Sequence, residues 1–153
     1  MIREARAADA AAVLDLTVQG IRTWGEGFVD RLASWMEQVC NLAYIEHRLV
    51  DPAYKNFVAE KDGHVVGSIY LNLDDANNAY MGGLYCSLKR HGVGSALLRR
   101  AIVESQALGY SRMECEIYAG NEASISLMSK YGAVYAHTDP YDGVEYHTYI
   151  IPL

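Results

Sequence analysis

A chain of 153 residues is long enough for one domain that buries its own core without disulfides or metals. With 51% hydrophobic and 21% charged residues, and no repeat or low-complexity tract, its composition excludes a disordered chain and a solenoid. Thirteen Lys and Arg against nineteen Asp and Glu leave a net charge of −6, which disfavours a duplex nucleic-acid binder and suits cationic partners better than acidic ones.

MIREA, at the start, reads as an edge strand. Charges at Arg3, Glu4, Arg6 and Asp9 leave no apolar leader, and no run approaches a membrane span, so the expectation is a cytoplasmic protein without membrane or nucleic-acid partners. A helix follows from Asp9, its predicted N-cap, with Val13, Leu14, Leu16 and Ile21 near helical spacing. RTWGEGF (22–28) breaks the pattern at Gly25 and Gly27. Helical periodicity then resumes as one long helix from residue 29 until Asp51-Pro52 stops it. KNFVAEK and HVVGSIYLNL form a hairpin about Asp62-Gly63, and AYMGGLYCSL is a further strand. Leu97, Leu98, Ala101, Ile102 and Leu108 line one face of a helix closed by Gly109, followed by the strand RMECEIY. Asn121 caps a helix that Gly132 ends, and the chain finishes as a hairpin about Asp142-Gly143. The order is β-α-α-β-β-β-α-β-α-β-β. It predicts a single α/β domain over residues 1–153, with a mixed sheet of about seven strands and about four helices on both faces. Cys40, Cys86 and Cys115 are odd in number and scattered, and read as buried reduced thiols. His47, His64 and His91 form no ligand pattern, so no metal is expected.

Between the third strand of the sheet core and the next helix lies Lys89-Arg90-His91-Gly92-Val93-Gly94-Ser95. Glycines one residue apart at a helix entrance turn backbone N–H groups toward a ligand and add the positive end of the helix dipole, a combination that binds anions. A P-loop would need Gly-Lys-Ser/Thr, which is absent. A dinucleotide fingerprint would need glycine at 97, where Leu97 stands, although Glu114 and Glu116 lie at a suitable distance for a ribose-binding acid.

Lys89 to Leu98 resembles the Gln/Arg-x-x-Gly-x-Gly/Ala signature of the GNAT family of N-acetyltransferases, with Lys89 at the first position. The resemblance continues through Asn121, Lys130 and Gly132, and is closest in motif to the ribosomal-protein alanine N-acetyltransferase and small-molecule amine acetyltransferase branches. It implies the acyl-CoA N-acyltransferase fold with a mostly antiparallel sheet, and acetyl-CoA as co-substrate. The acceptor would be a small-molecule amine or a peptide N-terminus, attacked directly in a ternary complex. By the same resemblance Lys89, Arg90, His91, Gly92, Val93, Gly94, Ser95 and Asn121 are cofactor-binding residues. Gly83 and Leu84 lie on the strand that offers an N–H to the thioester carbonyl. Glu116 takes the place of a catalytic glutamate. Met128 stands where many relatives carry a tyrosine acid, so a water, Tyr118 or Tyr131 is the substitute expected. That departure also motivates an alternative, a degenerate acyl-CoA-binding sensor or scaffold. The RTWGEGF joint and the last hairpin, with His137, Tyr141, Tyr146 and His147, are expected to flank the acceptor. Asp74, Asp75 and Glu116 near the cleft favour a cationic one. Members are often dimers, which admits a homodimer here.

Overall fold

The computed structural model describes the backbone of all 153 residues and every side chain outside residues 26–28. After β1 (Ile2–Glu4) come four helices, α1 (Ala10–Arg22), α2 (Glu26–Arg31), α3 (Ala33–Val39) and α4 (Leu42–Val50). Strands β2 (Tyr54–Lys61), β3 (His64–Asn72) and β4 (Ala79–Cys86) lead to α5 (Val93–Ala107), β5 (Arg112–Tyr118) and α6 (Glu122–Lys130). The chain closes with β6 (Val134–Tyr141) and β7 (Val144–Pro152).

One seven-stranded sheet runs β1-β2-β3-β4-β5-β7-β6, antiparallel except for β4 beside β5. That single parallel contact is inconsistent with a dinucleotide-binding sheet, which is built from successive parallel β-α-β units. Both predicted Asp-Gly turns hold: Asp62 and Gly63 have φ of 53° and 77°, Asp142 and Gly143 of 49° and 75°, the left-handed pair that a two-residue hairpin turn demands.

Alternation along β2 sends its residues to two faces. Phe57 and Ala59 join Leu97, Leu98, Ala101 and Met128 under α5 and α6, while Val58 meets Ala10, Val13 and Ile45 under α1 and α4. Gly67 on β3 is required for the close approach of α5, because a Cβ there would lie 2.8 Å from both Leu97 and Val93.

Four sequence expectations are corrected. The long helix from residue 29 is interrupted at Leu32 and Cys40, because Asn41 starts a fresh helix by accepting the Tyr44 N–H at 2.9 Å; local capping prevails over periodicity. Asp9 does not cap α1. Its carboxylate instead holds the Arg3 guanidinium at 2.8 Å and 2.9 Å and accepts the Arg6 N–H, and the Arg3 charge keeps its pKa below the ordinary value. Leu108, at the frayed end of α5, is 45% exposed rather than part of the apolar face. Of the three thiols only Cys115 is fully buried.

Candidate active site

β4 and β5 pair only at Ala79↔Met113 and Tyr80↔Glu114, then part. β5 remains paired to β7 over its whole length, so the sheet opens as a wedge between its two halves. A bulge widens the opening: Ser68 faces Tyr85 and Tyr70 faces Gly82, leaving Gly83 and Leu84 opposite the single residue Ile69. Gly83 has φ of 62° and lies under the Tyr70 ring, where a Cβ would come within 2.8 Å of it, so glycine is required on both counts.

The bulge also fixes one peptide plane. Ser68 Oγ donates to Gly83 O at 3.3 Å, on the β3 side. No peptide among the described residues is cis, so the N–H of Leu84 points the opposite way, into the gap that β5 has left. Ser68→Ala should lower kcat several-fold with KM for acetyl-CoA unchanged, since the plane loses a tether but keeps its bulge; a steady-state assay checks this.

At the mouth of the wedge α5 begins. Arg90 and Gly92 have φ of 60° and 74°, and the first helical bond is Ala96 N–H to Gly92 O at 3.0 Å. The amides of Val93, Gly94 and Ser95 therefore have no intrahelical acceptor, and they face outward as donors at the positive end of the dipole. Lys89, Arg90 and His91 are exposed and form no ion pair among the described residues. Asn121 Oδ1 accepts the Ser124 N–H at 3.2 Å, which caps α6 and leaves the side-chain N–H₂ beside the wedge.

The wedge opens into a cavity of about 290 Å³, whose wall includes Gly83, Leu84, Glu116, Tyr118, Asn121 and Met128. A neighbouring cavity of about 280 Å³ shares Glu116 and Tyr146 with it and adds Asp139 and Tyr141. Period-two alternation puts Glu114, Glu116 and Tyr118 on one face of β5. Glu114 is engaged by Asn78 Nδ2 and lines neither cavity. The Glu116 carboxylate has no hydrogen bond or ion pair among the described residues. Partial burial first, then the charges of Asp139 and Glu114, raise its pKa above the ordinary carboxylate value, with His137 working against them. Burial pushes the Tyr146 phenol up to about 12, so it stays a neutral O–H donor.

The sequence-predicted residues fall into two groups around the wedge. The loop from Lys89 to Ser95 lies at its entrance, and Gly83, Leu84, Glu116, Tyr118 and Asn121 line its interior. Tyr131 belongs to neither. It follows α6 and its hydroxyl is 3.5 Å from Ser95 O, so it supports the helix entrance and does not line the cavity. Met128 is 1% exposed, a core side chain that also forms part of the cavity wall. On the acceptor side Trp24, Tyr141 and Tyr146 line the cavities, whereas His137 pairs with exposed Asp139 and His147 bonds Thr138 at 2.7 Å. Of the RTWGEGF joint, the side chains of residues 26–28 lie outside the described ones. Asp74 and Asp75 sit in the turn before Ala79, where β4 and β5 are still joined, and line neither cavity. Sequence reasoning missed Arg48, Tyr70, Tyr80 and Tyr85. Arg48 alone left a signal, a charge three residues beyond Ile45 on the apolar face of a helix.

A sheet parted beside a glycine-entered helix, with an inward amide on one lip and an unpaired carboxylate on the other, is the acyl-CoA N-acyltransferase architecture. Residues 21–133 match the model of the Acetyltransferase (GNAT) family, and the chain belongs to that family. It is an acetyl-CoA-dependent acyltransferase, with acetyl-CoA as co-substrate. Solved structures agree in fold over nearly the whole chain. The PaiA N-acetyltransferase of Thermoplasma acidophilum, in complex with coenzyme A, is 18% identical with a TM-score of 0.82, covering 97% of this chain and 96% of its own. For yncA, a putative acetyltransferase from Salmonella typhimurium with acetyl-CoA, the values are 23%, 0.76, 99% and 92%. For the ribosomal-protein-alanine N-acetyltransferase of Brucella melitensis they are 21%, 0.71, 100% and 99%.

Proposed function

We propose that this chain moves the acetyl group of acetyl-CoA to the primary amine of a small molecule or a peptide N-terminus, by direct attack within a ternary complex. The observation that carries this is the juxtaposition of an inward amide at Leu84 and an unpaired carboxylate at Glu116 on one cavity wall. Acetyl-CoA supplies an activated thioester carbonyl. The residues present fit it: free amides at Val93, Gly94 and Ser95 suit a diphosphate, and the gap between β4 and β5 leaves the Leu84 N–H open to an extended arm.

Each residue then has a defined task. The amides of the α5 entrance, helped by the exposed cations Lys89 and Arg90, hold the diphosphate. Leu84 N–H donates toward the oxygen on which negative charge grows; a donor fixed in advance is worth roughly 10²–10³ in rate. Glu116 takes the proton of the amine, directly or through one water. An amine of pKa near 10 is almost wholly protonated at neutral pH, and freeing it costs about 4 kcal/mol, so a base above the ordinary carboxylate range is well matched. A thiol of pKa about 8.5 leaves as thiolate at a cost of only about 2 kcal/mol at neutral pH, which makes the missing tyrosine at Met128 tolerable. Tyr118, on the same wall, is the phenol placed to offer a proton.

Thiol release measured against polyamines, aminoglycosides, amino acids and peptide N-termini tests the assignment. Acceptor-dependent release is expected. Tight acetyl-CoA binding without release from any acceptor contradicts it and favours a sensor or scaffold.

A further inference from the structure

Arg48 takes no part in the scheme above. It stands on the inner face of α4, only 7% exposed, and a guanidinium removed from water is costly unless an anion compensates it. No carboxylate does so among the described residues. Its Nε donates to Asn56 Oδ1 at 3.0 Å, and its Cζ lies 4.3 Å from the centre of the Tyr70 ring. The other titratable groups near it are the phenols of Tyr44, Tyr54 and Tyr85 and the thiol of Cys40. Asn56 in turn donates Nδ2 to Arg48 O at 3.1 Å, a clasp that fixes the near end of the guanidinium and leaves its two terminal amino groups. Those nitrogens are not among the fully enclosed, unpartnered atoms of the described residues, which are Asn78 Oδ1 and Arg100 Nε. They therefore keep some accessible surface, and the wall that Arg48 lines is that of the 290 Å³ cavity.

Charge on that wall comes from two residues among those described, Arg48 and Glu116. A buried cation and an unpaired carboxylate facing one small cavity complement a molecule that carries both an amine and an anion. We propose that Arg48 is the anion subsite of the acceptor cavity and that the acceptor is an amino acid, its carboxylate on the terminal nitrogens of Arg48 and its amine toward Glu116. The inference rests on the cavity being the acceptor's, as proposed above. It also replaces the cationic acceptor suggested by the net charge, because the acidic pair Asp74 and Asp75 stands away from the cavity. A planar pair of N–H donors matches a carboxylate through two parallel hydrogen bonds, and the Tyr70 ring beneath holds the plane.

The test compares each common amino acid with its amide and its decarboxylated amine, in thiol release and, separately, in calorimetric titration of the CoA-bound protein. For at least one amino acid the free acid should exceed both analogues by about 100-fold in kcat/KM and in affinity. Arg48→Gln should abolish that preference through KM for the acceptor, leaving KM for acetyl-CoA and the melting temperature unchanged, and Arg48→Lys should restore part of it. A merely structural Arg48 would instead lower the melting temperature and disturb both substrates alike. Equal use of acid and amide by the wild-type chain, or a preference that survives Arg48→Gln, overturns the proposal. If no acceptor releases thiol, the proposed function fails, and the titration still decides Arg48: selective binding of the acid supports it, and no selectivity overturns it.

Discussion

Gly94→Asp should weaken acetyl-CoA binding by at least about 100-fold in calorimetry while leaving the melting temperature unchanged or higher. A Cβ at residue 94 would lie 3.4 Å from Leu127 Cδ2 and 3.7 Å from Cys86 Sγ, ordinary contacts that the fold accepts, and the backbone there is not left-handed. An acidic side chain in the first turn of a helix also suits its dipole, so α5 itself gains slightly. The same carboxylate, however, sits beside the amides assigned to the diphosphate, where it repels the ligand and competes for its donors. Gly94→Ala, which adds the methyl group without the charge, should cost only a few-fold. Unchanged affinity in the Asp variant would remove this turn from the binding site.

Glu116→Gln should lower kcat/KM at neutral pH by roughly 10²–10⁴, the usual worth of a placed base. The pH profile makes the assignment specific. In the wild type the acid limb should titrate above the ordinary carboxylate range, since burial and the neighbouring Asp139 and Glu114 raise the Glu116 pKa. In the Gln variant that limb should vanish, and activity should climb with pH toward the pKa of the amine itself. Stability gives an independent reading of the same shift. Because the folded state binds this proton more tightly than the unfolded chain, its contribution is complete below the unfolded carboxylate pKa and is lost as pH rises through the folded one. The Gln variant should accordingly melt higher than the wild type at neutral pH and equally at pH 4. An identical acid limb in both proteins would assign the base elsewhere.

Much of this architecture is legible in the chain because local chemistry dictates it. Asp62-Gly63 and Asp142-Gly143 can adopt the left-handed pair that closes a hairpin, and Asn121 can cap only a helix that starts behind it, so strands and α6 fall where expected. The glycine entrance to α5 is equally local. What the sequence hides is tertiary. Arg48, a charge on the apolar face of α4, has no visible partner until that helix packs against β2 and the Tyr70 ring, and Tyr131 reads as a candidate acid until its hydroxyl meets Ser95 O. The Leu84 amide has a direction only once β3 supplies Ser68, which depends on a register and a bulge that no stretch of sequence encodes alone.

The central claim is that the backbone at the wedge and at the start of α5 receives acetyl-CoA. A crystal structure of this chain with the coenzyme tests it most directly. The diphosphate is expected on the amides of Val93 to Ser95 and the thioester oxygen on Leu84 N–H, with the acetyl group open to Glu116. A diphosphate bound away from α5, or an acetyl group on the far side of the sheet from Glu116, would contradict it.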